Sequence, residues 1–178
     1  MLISHTCQSK TEGQPRAAEL SRFADIDLKV LTPSRWRHYG KWRQADLSGD
    51  GDFQIEAASV AWPWVGPAQF YLHWYPELRR VLRDFRPDVI DIWEEPWALV
   101  SAHVCWLRNR LLPQTRIVIE TEQNIDKVLP PPFGWFRSYT LANSDFAVAR
   151  SGEAWDVIRR RGYDGPSQLI PNAVNAEL

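Results

Sequence analysis

What most constrains this chain is an alternation of short apolar runs with amphipathic stretches, repeated from end to end. Val89-Ile90-Asp91-Ile92-Trp93, Ile117-Val118-Ile119 and Phe146-Ala147-Val148-Ala149 are short, apolar and largely β-branched or aromatic, so they read as buried strands. Helical spacing of i, i+3, i+4, i+7 lies between them. Leu78, Val81, Leu82 and Phe85 carry it within residues 76–85, and Val100, His103, Val104, Leu107 and Leu111 carry it within 98–111. Residues 133–143 also read as helical. Toward the N-terminus, Leu2-Ile3 is the stub of a first strand, and residues 15–23 form a helix with Pro in its first turn. Residues 27–31 form a strand closed by Thr32-Pro33, and Ser34 to Asp52 is a polar, Trp-rich loop. Phe53, Ile55, Ala57 and Val60 form a half-buried strand. Ser151 caps a late helix that runs into Arg159-Arg160-Arg161 and stops at Gly162, and Leu169-Ile170 is a last short strand. Strands alternating with helices predict a mainly parallel sheet covered on both faces. The expected fold is α/β, one Rossmann-like doubly wound domain over residues 1–178.

Composition removes several function classes. The chain has 21 basic and 22 acidic residues, a formal net charge of -1, so it lacks the basic stripe of a nucleic-acid binder and no nucleic-acid partner is expected. Two cysteines, Cys7 and Cys105, are too few for a disulfide framework. There is no signal-peptide pattern and no run of about 18 apolar residues, and the expected location is cytoplasmic. The first loop, from Ser4 to Gly13, contains one glycine, and neither G-x-G-x-x-G nor a P-loop is present. That weighs against a nicotinamide dehydrogenase and a nucleoside triphosphatase. No metal is expected: no His, Cys and carboxylate set has zinc spacing, and the calcium-like run Asp46 to Asp52 has Ala57 where the twelfth ligand belongs. No G-x-S-x-G marks a hydrolase nucleophile.

Ligands of doubly wound sheets bind beyond the carboxyl ends of the strands, at the point where strand order reverses. That rule selects the candidates. His5 follows the first strand and borders the crevice, whereas His103 on its helix face reads as a hydrogen-bonded core histidine. Glu94-Glu95-Pro96-Trp97 follows a buried strand, and one of its carboxylates could accept bonds from sugar hydroxyls or take a proton; the competing reading is a helix cap and a solvated Glu. Glu120-Thr121-Glu122-Gln123-Asn124 suits a hydroxyl-rich ligand, or is a polar loop that satisfies its own backbone. Lys10, Arg16 and Arg150 are candidates for an anion, against solvated surface charges. Glu153 and Asn172 stand at later strand ends. The ten tryptophans divide. Trp93 and Trp97 flank the carboxylates, while Trp62, Trp64 and Trp74, with Phe70, Tyr71 and Tyr75, could meet an acceptor or the inner face of a membrane as a peripheral contact. Trp106, Trp135 and Trp155 are assigned to helix packing.

These motifs, in this order, resemble the N-terminal half of family 4 glycosyltransferases. The marks are Ser4-His5-Thr6-Cys7, Leu31-Thr32-Pro33 with Trp36, and residues 86–97 from Arg86-Pro87-Asp88 to Glu94-Glu95-Pro96-Trp97. They continue with residues 120–124, Ala149-Arg150-Ser151-Gly152-Glu153-Ala154, and Ile170-Pro171-Asn172-Ala173-Val174-Asn175. The resemblance implies the acceptor-binding half of a retaining, two-Rossmann (GT-B) enzyme acting on a sugar or lipid-linked acceptor. It implies no cofactor: a nucleotide sugar is the co-substrate, bound mainly by a C-terminal domain. Many members carry a His where this chain has Gln123, and the usual Pro-Asn-Gly-Val-Asp junction here has Ala173 and Asn175. The chain ends where the donor-binding domain is expected, so that domain is expected in cis or as a separate chain, and these residues alone are expected to be inactive. The alternative is a non-catalytic Rossmann-like module that binds sugar or docks to a subunit.

Overall fold

The computed structural model describes residues 1–38, 40–62 and 68–173. Seven strands form one sheet in the order β5-β2-β1-β6-β7-β8-β9, and every pairing in it is parallel. They are β1 (Leu2–Ile3), β2 (Leu28–Pro33), β5 (Phe53–Ala58), β6 (Val89–Ile92), β7 (Arg116–Thr121), β8 (Phe146–Ala149) and β9 (Ser167–Leu169). The helices are α1 (Gln14–Leu20), α2 (Gln69–Leu72), α3 (Leu78–Phe85), α4 (Leu99–Leu111), α5 (Phe133–Ala142) and α6 (Gly152–Arg160). The chain grows outward from β1 to β2 and β5, crosses back through α2 and α3, and resumes on the other side of β1 with β6. The order therefore reverses between β1 and β6, which is the expected Rossmann-like switch point.

Successive strand residues point to opposite faces, and the core divides accordingly. Ile3, Leu31, Ile90, Ile92, Ile117 and Ile119 join the larger core with Leu78 and Leu82 of α3 and Val100 and Val104 of α4. Leu2, Val30 and Leu28 join the smaller one with Ala17 of α1, and Trp93 packs against it. Helices thus cover both faces, which is why the central strands are apolar throughout. Ser151 caps α6 as expected, its hydroxyl accepting from the Ala154 N–H at 3.1 Å, and Gly162 stands past its end at φ 90°.

The stretch expected as a loop from Ser34 to Asp52 is only partly one. It contains an antiparallel hairpin of β3 (Arg35–His38) and β4 (Lys41–Gln44), turned at Gly40 with φ 78°. Among the described residues of the hairpin only Trp36 is buried, at 2% exposure. Three buried glutamines fasten the hairpin region by its main chain: Gln8 donates to the Arg43 carbonyl (2.7 Å), Gln14 to Asp46 (2.6 Å) and Gln69 to Arg37 (2.5 Å). The α2 turn was not expected either. Of the residues around it, Trp64 lies outside those described.

Other assignments change as well. His103 is not a hydrogen-bonded core histidine: its buried Nδ1 has no partner, and its ring rests on Trp74 and Trp106. Burial lowers its pKa. Trp106 and Trp135 are not packed into the helix interfaces, being 41% and 70% exposed. Trp155, 37% exposed, donates to the Ser167 hydroxyl and carries Arg159 over its ring. Amphipathic spacing locates a buried stripe, but a wide ring at its margin remains half in water.

Candidate active site

A cleft of about 200 Å³ opens at the switch point. Its wall is formed by His5 and Thr6 after β1, Trp93 to Glu95 and Trp97 after β6, and Glu120 to Glu122 at the end of β7, with Phe70 from α2 across it. Apart from Phe70, each wall residue stands at or just beyond a strand's carboxyl end, because the parallel sheet delivers all of those ends to one rim.

Glu94 is the organising group. It is buried, and its Oε1 accepts the His5 backbone N–H at 2.6 Å, while the His5 Nδ1 lies 2.8 Å from both carboxylate oxygens. A carboxylate only accepts, so Nδ1 carries the proton. His73 approaches the same carboxylate with Nε2 at 3.8 Å, while its Nδ1 donates to the Gln69 carbonyl at 2.9 Å. Burial alone would raise the Glu94 pKa, but the His5 and His73 charges and their hydrogen bonds override it and hold it well below the ordinary carboxylate range. For His5, burial would lower the pKa, but the Glu94 charge and hydrogen bond raise it. The His5 ring is fixed between Trp36 at 4.9 Å and Phe70 at 5.4 Å.

Glu95 has a different task. Its Oε2 accepts from the Thr121 hydroxyl at 2.7 Å and its Oε1 from the Glu122 N–H at 2.8 Å, which ties the β6 loop to the β7 loop. Burial pushes its pKa up to about 7, opposed by those two bonds and reinforced by the nearby Glu122 and Glu94 charges. Trp97 faces the cleft and stacks on Tyr71 at 4.4 Å.

Behind the cleft floor is a partly buried ionic cluster, with Glu120 at its centre 1% exposed. Asp91 and Glu120 lie on adjacent strands and on the face opposite Ile92 and Ile119. Arg16 of α1 bonds Asp91 at 2.7 Å and also pairs with Glu120, which pairs in turn with Arg150. The Arg16 guanidinium lies over the Trp93 ring at 4.8 Å. Burial pushes the Asp91 pKa up, with the Glu120 charge adding to it and Arg16 opposing.

The structure therefore brings His5, Glu94, Glu95 and Trp97 around one cleft. It does not present the expected anion-binding residues to that cleft as free cations. Arg16 and Arg150 are taken up by Asp91 and Glu120, and Lys10 pairs with Asp50 at 2.9 Å on the surface. Gln123 closes a local turn by donating to the Ile125 carbonyl, and Asn124 is exposed. Glu153 is exposed in the first turn of α6, and Asn172 donates to Glu122 at 3.2 Å. The residue that the sequence reading passed over is His73. It lies inside the aromatic run Phe70 to Tyr75, and the signal for it is a His in a segment that folds over the switch point.

A parallel Rossmann-like sheet with an aromatic, carboxylate-rimmed cleft at its reversal point defines an α/β domain of the Rossmann-like class. Residues 17–178 match the model of Glycosyltransferase Family 4, and the chain belongs to that family. Membership gives it a general role in glycosyl transfer. The match begins within α1, so β1 and the His5 loop stand ahead of it. No curated protein matches the chain. No helix among the described residues is long and apolar enough to cross a membrane.

Proposed function

We propose that this chain is the acceptor-binding half of a retaining glycosyltransferase. It acts in the cytoplasm, where the sugar comes from a nucleotide-sugar donor held mainly by a C-terminal domain, in cis or as a separate chain. The acceptor is a sugar or a lipid-linked sugar. The observation that carries this reading is the lining of the switch-point cleft, where the indoles of Trp93 and Trp97 stand beside the carboxylates of Glu94 and Glu95. A sugar ring has an apolar face that stacks on an indole and hydroxyls at its edge that need acceptors and donors. A cleft of about 200 Å³ suits a single sugar ring, while the rest of the acceptor extends over the aromatic rim.

In this reading Glu95 holds the cleft floor and the indoles provide the stacking surface. The test is Trp97→Ala in the enzyme assembled with its donor-binding domain. The expected result is an acceptor KM raised about tenfold, the cost of roughly one stacking contact, with an unchanged donor KM. An unchanged acceptor KM would remove the acceptor-site assignment. Retention is checked independently, from the anomeric coupling constant of the fresh product by proton NMR.

A further inference from the structure

We propose that the β3–β4 hairpin and the hollow behind it form a phosphoryl subsite, so that the acceptor is a sugar carrying a phosphate. The inference rests on the acceptor-site reading above and gives the class of that acceptor. Positive charge is unevenly spent in this molecule. Lys10, Arg16 and Arg150 are engaged by carboxylates. The chain as a whole has a formal net charge of -1, yet Ser34 to Ala45 contains Arg35, Arg37, Lys41 and Arg43 and no carboxylate. The hairpin sets this charge beside the cleft, since the Trp36 ring lies 4.9 Å from that of His5.

Strand pairing sorts the hairpin side chains. In the antiparallel register Trp36 is opposite Arg43 and His38 is opposite Lys41, so these four share one side. Arg35, Arg37, Trp42 and Gln44 share the other. The Trp36 side borders a hollow of about 40 Å³. Trp36, His38 and Arg43 form one wall of it, and Thr6 and Ser9 of the first loop stand in the other. The hollow adjoins the main cleft, because His5 and Thr6 line both.

Two features of this wall call for an oxyanion. Trp36 is 2% exposed, and its buried Nε1–H has no acceptor among the described residues. A buried donor left unpaired is costly, and a ligand oxygen would satisfy it. Arg43 stands 3.5 Å from Glu12 and His38 stands 3.8 Å from it. Both distances exceed the roughly 2.7–2.9 Å of a charge-assisted hydrogen bond, so the Arg43 fork is loosely held and can turn to a ligand. That fork fits two oxygens of one phosphoryl group. A hollow of about 40 Å³ takes about three water-sized atoms, the number of terminal oxygens on that group. Charge also divides between the two cavities. The main cleft, lined by Glu94, Glu95, Glu120 and Glu122, offers acceptors to sugar hydroxyls and repels an anion. A sugar phosphate with its ring in the cleft and its phosphate in the hollow matches both.

The test has two parts. On the chain itself, inorganic phosphate is titrated at millimolar concentrations while NMR follows the Trp36 indole N–H. That signal should move with phosphate and not with chloride at equal ionic strength, and Arg43→Gln should remove the movement. A signal that phosphate leaves in place overturns the proposal. In the enzyme assembled with its donor-binding domain, KM is measured for a free hexose, its soluble phosphate monoester, and the hexose joined through phosphate to farnesol. Arg43→Gln should raise KM for the phosphorylated acceptors at least about tenfold and leave that for the free hexose unchanged. The arm that shows the loss, soluble or lipid-linked, identifies where the phosphate comes from. Arg35→Gln, on the other side of the hairpin, should change no KM; a loss equal to that of Arg43→Gln means bulk charge and overturns the subsite. An equal loss for the hexuronate overturns the phosphoryl assignment, and a rise in donor KM instead gives the hollow to the donor and overturns the proposal. If Arg43→Gln fails to fold, the exposed Lys41→Gln decides, and an unchanged KM for both phosphorylated acceptors overturns the proposal. A Trp97→Ala effect on acceptor KM with none from Arg43→Gln removes this subsite and leaves the acceptor-site reading standing; no effect from either removes both.

Discussion

At the scale of single residues, two carboxylates of the site differ in what acts on them. Glu94 is held well below the ordinary carboxylate range by two imidazoles, while the Asp91 pKa is pushed up by burial and by the Glu120 charge, against Arg16. The consequences for pH run in opposite directions. Glu94 has a depressed folded pKa, so its contribution is present at neutral pH and is lost as pH falls through that value. Asp91 has a folded pKa raised from 3.8 to about 8. In this window the folded state binds a proton that the unfolded state has released, so its stabilising contribution declines as pH rises from about 4 to about 8. Asp91→Asn keeps a donor toward Glu120 and an acceptor toward Arg16. Its melting temperature should match the wild type near pH 5 and exceed it above pH 8. Glu120→Gln should be worse at every pH, by about 3 kcal/mol in urea unfolding, because Arg16 and Arg150 then share too little negative charge in a buried site. This cluster was only half legible in the sequence. Glu120 was read with its neighbours as a ligand-facing polar run, yet strand alternation puts it on the face opposite Ile117 and Ile119, under α1.

At the scale of elements, the strongly periodic segments were readable and the short ones were not. Helix α4 and strand β8 fall within a residue of expectation, because a long amphipathic stripe and a compact apolar run each permit one burial. The β3–β4 hairpin was read as a loop because its outer face is charged and only Trp36 marks an inner one. The first loop shows a different limit. Its single glycine belongs to no phosphate-binding fingerprint, and the structure gives it a packing reason. A Cβ on Gly13 would lie 2.4 Å from the Cys7 nitrogen and 2.6 Å from the Thr6 oxygen. Gly13→Ala must therefore push α1 away from the turn at Thr6–Gln8, and the displacement reaches His5. We expect a melting temperature lower by several degrees and a weakened His5–Glu94 bond, seen as a downward move of the His5 titration by NMR.

At the scale of the whole molecule, the order of elements told more than any single motif. Seven parallel strands with one reversal place His5 and Glu94, 89 residues apart in sequence, within 2.8 Å of each other. That rule located the cleft rim, but it did not say which charges at the rim are already spent on each other. Lys10, Arg16 and Arg150 illustrate the gap, since ion pairing depends on side-chain reach and not on strand ends. With those cations engaged, calorimetry with UDP-glucose or GDP-mannose should show no binding tighter than about millimolar by residues 1–178. A sugar or lipid-linked acceptor should instead shift the indole NMR signals of Trp93 and Trp97.

The three glutamine contacts to the hairpin region carry one more consequence. Gln8, Gln14 and Gln69 each grip a carbonyl oxygen, a handle that every amino acid offers equally. Of the side chains of β3 and β4, Arg43 and His38 pair with Glu12, and Trp36 alone is buried. The hairpin works like a removable nameplate screwed to the frame through its backing: its lettering can be rewritten at Arg35, Arg37 or Lys41 while the wall behind His5 keeps its shape.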